Sequence, residues 1–146
     1  MIQFRESWRM CLRLNAVGKL YREHLAENSR EARGLRLMRD WLSPQQRAQF
    51  DGSGHFEVVG SDSGKQYRIY RGTAPNIYEV DEAGRLKVGW CFMPMGTLVE
   101  GDVILAQKIA LETYENGALA VANRFPTKGG LRPGLRWSGR PRAVWY

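Results

Sequence analysis

The feature that most restricts how this chain can fold is a change of hydrophobic period at Asp51-Gly52-Ser53-Gly54. Before that point apolar residues recur at helical intervals. After it they alternate with polar ones in four short runs, His55 to Gly60, Gln66 to Arg71, Asn76 to Val80 and Leu86 to Phe92. The connectors Ser61-Asp62-Ser63-Gly64, Gly72-Thr73-Ala74-Pro75 and Asp81-Glu82-Ala83-Gly84 are short and rich in turn residues. Adjacent runs therefore pair antiparallel, and a four-stranded meander is expected.

Upstream, Phe4, Trp8, Cys11, Tyr21 and Leu25 are spaced as one helix face, with a gap around Asn15 to Gly18, while Arg5, Arg9 and Arg13 form an adjoining basic edge. Ser29 is placed to cap a second helix. Leu35, Met38 and Trp41/Leu42 are its expected buried side, Arg30, Arg33, Arg36 and Arg39 lie outside, and Gly34 weakens it slightly. Ser43-Pro44-Gln45-Gln46 is a capping box that opens a short helix to Phe50. After Met93-Pro94-Met95-Gly96, Asp102 stands at a plausible N-cap. Val103, Ile104, Leu105, Ile109, Leu111, Tyr114, Leu119 and Val121 then predict one helix of about five turns, ended by Asn123 to Pro126 and able to cover one face of the sheet. Beyond Pro126 the composition turns to Gly, Pro, Arg and Trp without periodicity.

The expected fold is α+β, with N-terminal helices, the meander, a long helix packed on the sheet and a basic C-terminal tail. The regions are a basic helical part (1–50), a β-meander with the long helix (51–125) and an extended tail (126–146). A length of 146 residues suits one compact domain and argues against a two-lobed doubly wound enzyme. No run approaches the roughly 18 apolar residues of a membrane span. Met1 to Leu14 lacks the apolar core of a signal peptide, and Cys11 and Cys91 are too far apart in sequence to suggest a disulfide framework. A cytoplasmic location with no membrane partner is expected.

The formal net charge is +7, and its distribution is uneven. Residues 1–50 carry an excess of five positive charges, residues 51–125 an excess of three negative ones, and residues 126–146 hold Lys128, Arg132, Arg136, Arg140 and Arg142 with no acid. Such a balance favours polyanions. The helical arginines present rows of phosphate donors, but Glu23, Glu27 and Glu31 can partly neutralise them, so a solvated or partner-binding face is an equal reading. In the tail, arginines interleave with prolines and Trp137, a composition suited to tracking phosphates and stacking bases. Gly139-Arg140-Pro141 resembles the core of an AT-hook, with Ser138 where an arginine normally precedes it. An arm docking on a protein through Trp137, Trp145 and Tyr146 is equally compatible.

Other chemistries have weaker footing. Gly60-Ser61-Asp62-Ser63-Gly64-Lys65 is one residue short of a phosphate-binding loop, Gln66 replaces the Ser or Thr that binds magnesium, and a strand follows instead of a helix; a hairpin turn is the better reading. His24 and His55 have no cysteine nearby, so neither a metal nor another cofactor is expected. Asp81, Glu82, Glu100 and Asp102 lack calcium-loop spacing. Cys91, His55 and Asp62 are the only candidates for nucleophilic catalysis, and no catalytic residue is assigned.

Gly60-Ser61-Asp62-Ser63-Gly64-Lys65-Gln66-Tyr67-Arg68-Ile69, Cys91-Phe92-Met93-Pro94 and Gly101-Asp102-Val103-Ile104-Leu105-Ala106-Gln107-Lys108 resemble a pattern in small uncharacterised bacterial and phage-type proteins. The likeness runs from Trp41 through Asn123 and implies no established activity. Strands followed by a helix near Gly101 are also similar to SWIM-type zinc modules, associated with nucleic-acid and protein binding. The Cys-x-Cys and Cys-x-His ligands of that module are absent here, so the resemblance implies that packing of Phe92, Leu98, Ile104 and Leu105 replaces the metal.

The leading expectation is a non-enzymatic module that binds the backbone of DNA or RNA through Arg5, Arg9, Arg13, Arg30, Arg33, Arg36, Arg132, Arg136, Trp137, Arg140 and Arg142. The alternative is a small protein-protein adaptor or inhibitor, of phage type, docking an acidic partner through Arg and Trp residues. An enzyme using Cys91, His55 or Asp62 in a pocket beside the long helix is a third reading.

Overall fold

The structure, a computed structural model, describes residues 2–93 and 95–127, with side chains from residue 15 onward. The tail residues Arg132, Arg136, Trp137, Arg140 and Arg142 lie outside the described residues, as do the side chains of Arg5, Arg9 and Arg13.

Three helices come first: α1 (Ile2–Glu27), α2 (Arg30–Asp40) and α3 (Pro44–Ser53). The strands β1 (His55–Val59), β2 (Gln66–Tyr70), β3 (Ile77–Val80) and β4 (Leu86–Cys91) follow, then α4 (Glu100–Thr113), α5 (Glu115–Val121) and β5 (Asn123–Pro126). The architecture is α+β, but the antiparallel sheet has five strands in the order β1-β2-β3-β4-β5. The expected four-stranded meander is extended by Asn123–Pro126, which is not merely a helix break but pairs with β4. A four-residue strand ending in proline carries too little alternation to announce itself. Its place is explained by Gly89, whose missing side chain leaves room for the Phe125 ring.

Register fixes which face is buried. Phe56 opposes Ile69, Ile69 opposes Ile77 and Ile77 opposes Trp90, a row of apolar side chains across four strands. With Val58 and Tyr67 they meet Met38 of α2, Leu42 of the turn after it, Phe50 of α3 and Ile104 and Leu111 of α4 in one cluster. The helices thus cover a single face. The edge at β1 is closed by α3: Gln46 Nε2 donates to the Glu57 carbonyl (2.9 Å), and Gln49 Oε1 accepts from the Glu57 N–H (3.1 Å). Satisfying these backbone groups blocks further strand addition there.

Local signals start α2 and α3 where the sequence predicts them, although α3 runs on through Asp51 and Gly52 to Ser53 instead of ending at Phe50. Ser29 Oγ accepts from the Ala32 N–H (3.1 Å), and Ser43 with Gln46 forms the reciprocal capping box before Gly54 ends α3 at φ 71°. Tertiary packing overrides the sequence elsewhere. α1 runs unbroken through Asn15 to Gly18. Trp41 is 60% exposed, and the buried side of α2 is Gly34, Met38 and then Leu42. Gly34 is no mere weakness, because α4 crosses α2 there. A Cβ on Gly101 would collide with the Gly34 carbonyl group, and a Cβ on Gly34 would stand 2.6 Å from Val99.

The helix over the sheet starts at Glu100 with Val99 at its N-cap, so Asp102 is not the cap. It buries Val103, Ile104, Gln107, Lys108 and Leu111, one stripe of a 3.6-residue period. It does not run for five turns: Tyr114 (φ −153°, ψ 54°) breaks it into α4 and α5. Of the residues expected to pack where a zinc module holds metal, Ile104 is buried, Phe92 and Leu105 pack on the core, and Leu98 is exposed.

The α2–α4 crossing yields a paired prediction. Gly101→Ala forces a methyl group into backbone and is expected to cost about 2 kcal/mol or more of unfolding free energy. Gly52→Ala, in α3 with nothing within 4 Å, is expected to stabilise by about 0.5 kcal/mol. Urea titration of both variants checks the contrast in sign.

Candidate nucleic-acid interface

The α1–α2 corner is built by its own polar side chains. Asn28 Nδ2 donates to the His24 carbonyl (2.8 Å), closing the last turn of α1 before Ser29 opens α2. Arg36 donates to the Glu27 carbonyl (2.9 Å), so this guanidinium, expected to meet phosphate, also caps the C-terminal end of α1. Arg39 pairs with Asp51 at 2.8 Å, and Arg47 Nε donates to the Arg39 carbonyl (3.1 Å). Arg22, Arg30, Arg33 and Arg36 are solvent-facing, and among the described residues none has a carboxylate within ion-pair distance. Arg30 and Arg33 line a shallow cleft of about 230 Å3 with Gly34, Leu37, Val99 and Asp102.

Most cations of the sheet and α4 are neutralised locally. Arg68 meets Glu57 (2.7 Å) across the β1–β2 ladder, Lys65 meets Glu79 (3.2 Å), Arg71 meets Glu100 (3.5 Å), Arg85 meets Asp81 (2.9 Å) and Lys108 meets Glu112. Lys87 and Arg124 have no such partner among the described residues.

The turn Gly60 to Lys65 is a hairpin connector, yet it does cradle an anion. Glu115, at the start of α5 and only 1% exposed, receives the N–H groups of Asp62 (2.9 Å) and Ser63 (2.7 Å) and the hydroxyls of Ser63 and Tyr67. In return Ser61 Oγ accepts from the Glu115 N–H, and Asp62 Oδ2 accepts from that of Asn116. Gly60 is required here, since a Cβ would overlap the Glu115 carboxyl group. Burial pushes the Glu115 pKa up, but hydrogen bonds from Ser63, Tyr67 and Asp62 outweigh it and hold the carboxyl at about 2, below its ordinary 4.5. Burial and the adjacent Glu115 acceptor push the Tyr67 hydroxyl up, which keeps it a donor. The sequence signal is the glycine-serine loop itself; what it does not reveal is that the chain supplies its own anion from 52 residues away.

The sheet face away from the helices carries a row of rings that alternation alone does not single out. His55–Tyr70, Tyr70–Tyr78 and Tyr78–Phe125 have centroids 4.9, 5.6 and 5.9 Å apart. The last two pairs are nearly perpendicular, at 88° and 85°. Rings packed edge to face with one another do not form the flat platform on which bases stack.

The candidate nucleophile is not assembled. His55 and Cys91 lie at one end of the sheet, three strands apart and so roughly 14 Å from each other, while Asp62 follows the opposite end of β1. Burial pushes the Cys91 thiol up, away from the thiolate, and lowers His55, a shift that the Arg68 charge reinforces. Among the described residues no three or more His, Cys, Asp or Glu side chains group as a metal site, and no helix is long and apolar enough to cross a membrane. No family model, curated protein or solved structure matches the chain.

The Glu115 clamp sets a pH dependence. A carboxyl whose folded pKa is depressed stabilises the fold fully above about pH 4.5, and that contribution, on the order of 3 kcal/mol, disappears as pH falls toward 2. Glu115→Gln is expected to lower stability at pH 7 by about 2–4 kcal/mol and to flatten this acid limb. Gly60→Ala should act on the same clamp, so the double variant should be less damaging than the two single effects added. Urea unfolding from pH 7 to pH 2 reads both.

Proposed function

We propose that the protein is a non-enzymatic nucleic-acid-associated module that holds phosphate backbone through the arginines of α1, α2 and the C-terminal tail. The supporting observation is the division of charge. The sheet and α4 pair most of their cations with carboxylates, whereas Arg22, Arg30 and Arg33 face solvent with no carboxylate partner among the described residues. A guanidinium in solvent has little to lose by exchanging water for phosphate, and it releases a condensed counterion when it does so. Binding of this kind is electrostatic, tolerant of sequence and indifferent to the edge-packed rings of the sheet. It belongs in the cytoplasm, where nucleic acid and a reduced Cys91 coexist.

A protein-docking role has its own observation. Arg33, Leu37 and Trp41 follow one another at intervals of four along α2 and its C-cap, all solvent-facing. A guanidinium, an aliphatic and an indole on one face have the composition of an interface hot spot, suited to an acidic partner. Complex formation that tolerates salt and is abolished in Trp41→Ala would favour this adaptor reading.

The test is binding of duplex DNA, single-stranded DNA and RNA by the full chain across a salt series. The double variant Arg30→Gln/Arg33→Gln is expected to weaken binding and to reduce the slope of log affinity against log salt by about 1–2, roughly 0.9 for each phosphate no longer neutralised. Arg136→Gln/Arg140→Gln should do the same, while Arg85→Gln, which removes a cation already paired with Asp81, should change neither. Absence of binding at low salt would overturn the reading.

A further inference from the structure

We infer that α1 is a self-association helix through which two copies of this chain pair antiparallel. The 26 residues of α1 span about 39 Å, and α1 meets the rest of the described chain chiefly at its turn into α2. Val17, Leu20, Tyr21 and Leu25 are each more than half exposed. A helix in water draws most of its stability from packing such a stripe, so this one lacks its partner within the described chain.

The pattern of the stripe names the partner. Positions 10, 14, 17, 21 and 24 are spaced four and three apart, as the central seam of a coiled coil requires, and hold Met, Leu, Val, Tyr and His. In an antiparallel pair each seam residue meets one running the other way. The register that sets position 17 against 21 and position 14 against 24 brings position 18, a glycine flanking the seam, beside its own copy near the two-fold axis. Nothing but the Arg22 guanidinium lies within 4 Å of a Cβ built on Gly18, so the backbones have room to approach. On the other flank the same register places position 13, an arginine, beside position 27 of the second copy, a glutamate, twice by symmetry. Sliding by one heptad would set the glutamates at positions 6 and 27 against each other. Parallel pairing would set position 13 beside glycine 18 and leave position 27, the last residue of α1, without a facing residue in the second α1, so neither charge would find a complement. Charge therefore selects one self-complementary arrangement, as an isologous dimer demands.

Sedimentation velocity of the full chain across the micromolar range, without nucleic acid, tests this. A concentration-dependent dimer is expected, and Val17→Glu should leave a monomer whose near-UV circular dichroism, a reporter of the packed core, is that of the parent and whose melting temperature no longer rises with concentration. Glu27→Arg should weaken the dimer about tenfold by opposing two like charges, and adding Arg13→Glu should restore most of the affinity. A monomer at every concentration, or a dimer indifferent to Glu27→Arg, would overturn the proposal. The outcome is independent of nucleic-acid binding, which a monomer can show unaided.

Discussion

A carboxylate 1% exposed must be fully solvated by protein, and for Glu115 every donor comes from the β1–β2 hairpin. The consequence reaches well beyond one residue. The same turn donates the Ser61 N–H to the Leu111 carbonyl (3.0 Å), so the end of α4 and the start of α5 are both held on it. A straight helix over residues 100–121 would finish about 33 Å from its start, carrying the chain away from the sheet. Broken at Tyr114 and clamped at Glu115, the chain instead returns and lays β5 along β4. The Glu115 clamp thus turns the chain back toward β4, where Gly89 makes room for Phe125 of the fifth strand.

Further polar ties hold the middle and the start of α4. Asn76 and Gln107, both buried, exchange amide hydrogen bonds (2.8 and 2.9 Å), and Asn76 also donates to the carbonyls of Tyr70 and Gly72. Glu100 accepts from the Gly72 N–H at 2.7 Å. Each of these groups would be costly if left unpaired, so α4 has one rotation and one height over the sheet. Apolar burial holds the two layers together, and these polar ties fix how they are aligned.

Elements governed by local rules are legible in the sequence. Ser29, the Ser43–Gln46 box and the alternation over residues 55–91 each act within a few residues, and each is where expected. What stays hidden is set by distant partners. Gly34 reads as a weak helix residue until Gly101 crosses it, Asn123–Pro126 reads as a break until Gly89 receives Phe125, and Asp102 reads as a cap until Val99 takes that place. The candidate interface divides in the same way: exposure of Arg30 and Arg33 follows from periodicity, whereas the bond from Arg36 to the Glu27 carbonyl requires the geometry of the α1–α2 turn.

The charge and the apolar stripe make sense together on α1. Around a helix of 100° per residue, the seam through positions 14, 17 and 21 lies on the far side from positions 5 and 9, both arginines, so pairing along one side would engage position 13 of the basic edge and leave positions 5 and 9 free. An antiparallel pair centred near residue 19 separates the two α1–α2 corners by roughly 24 Å along the axis. Each corner displays Arg30 and Arg33. Two modest electrostatic sites at a fixed spacing on one body bind a long polyanion far better than either alone, because the second engagement forms at high effective concentration. On the proposed reading, a surface with few base-reading features would gain affinity by this duplication, and an exposed apolar stripe close to the solvent-facing Arg30 and Arg33 is the arrangement that would provide it.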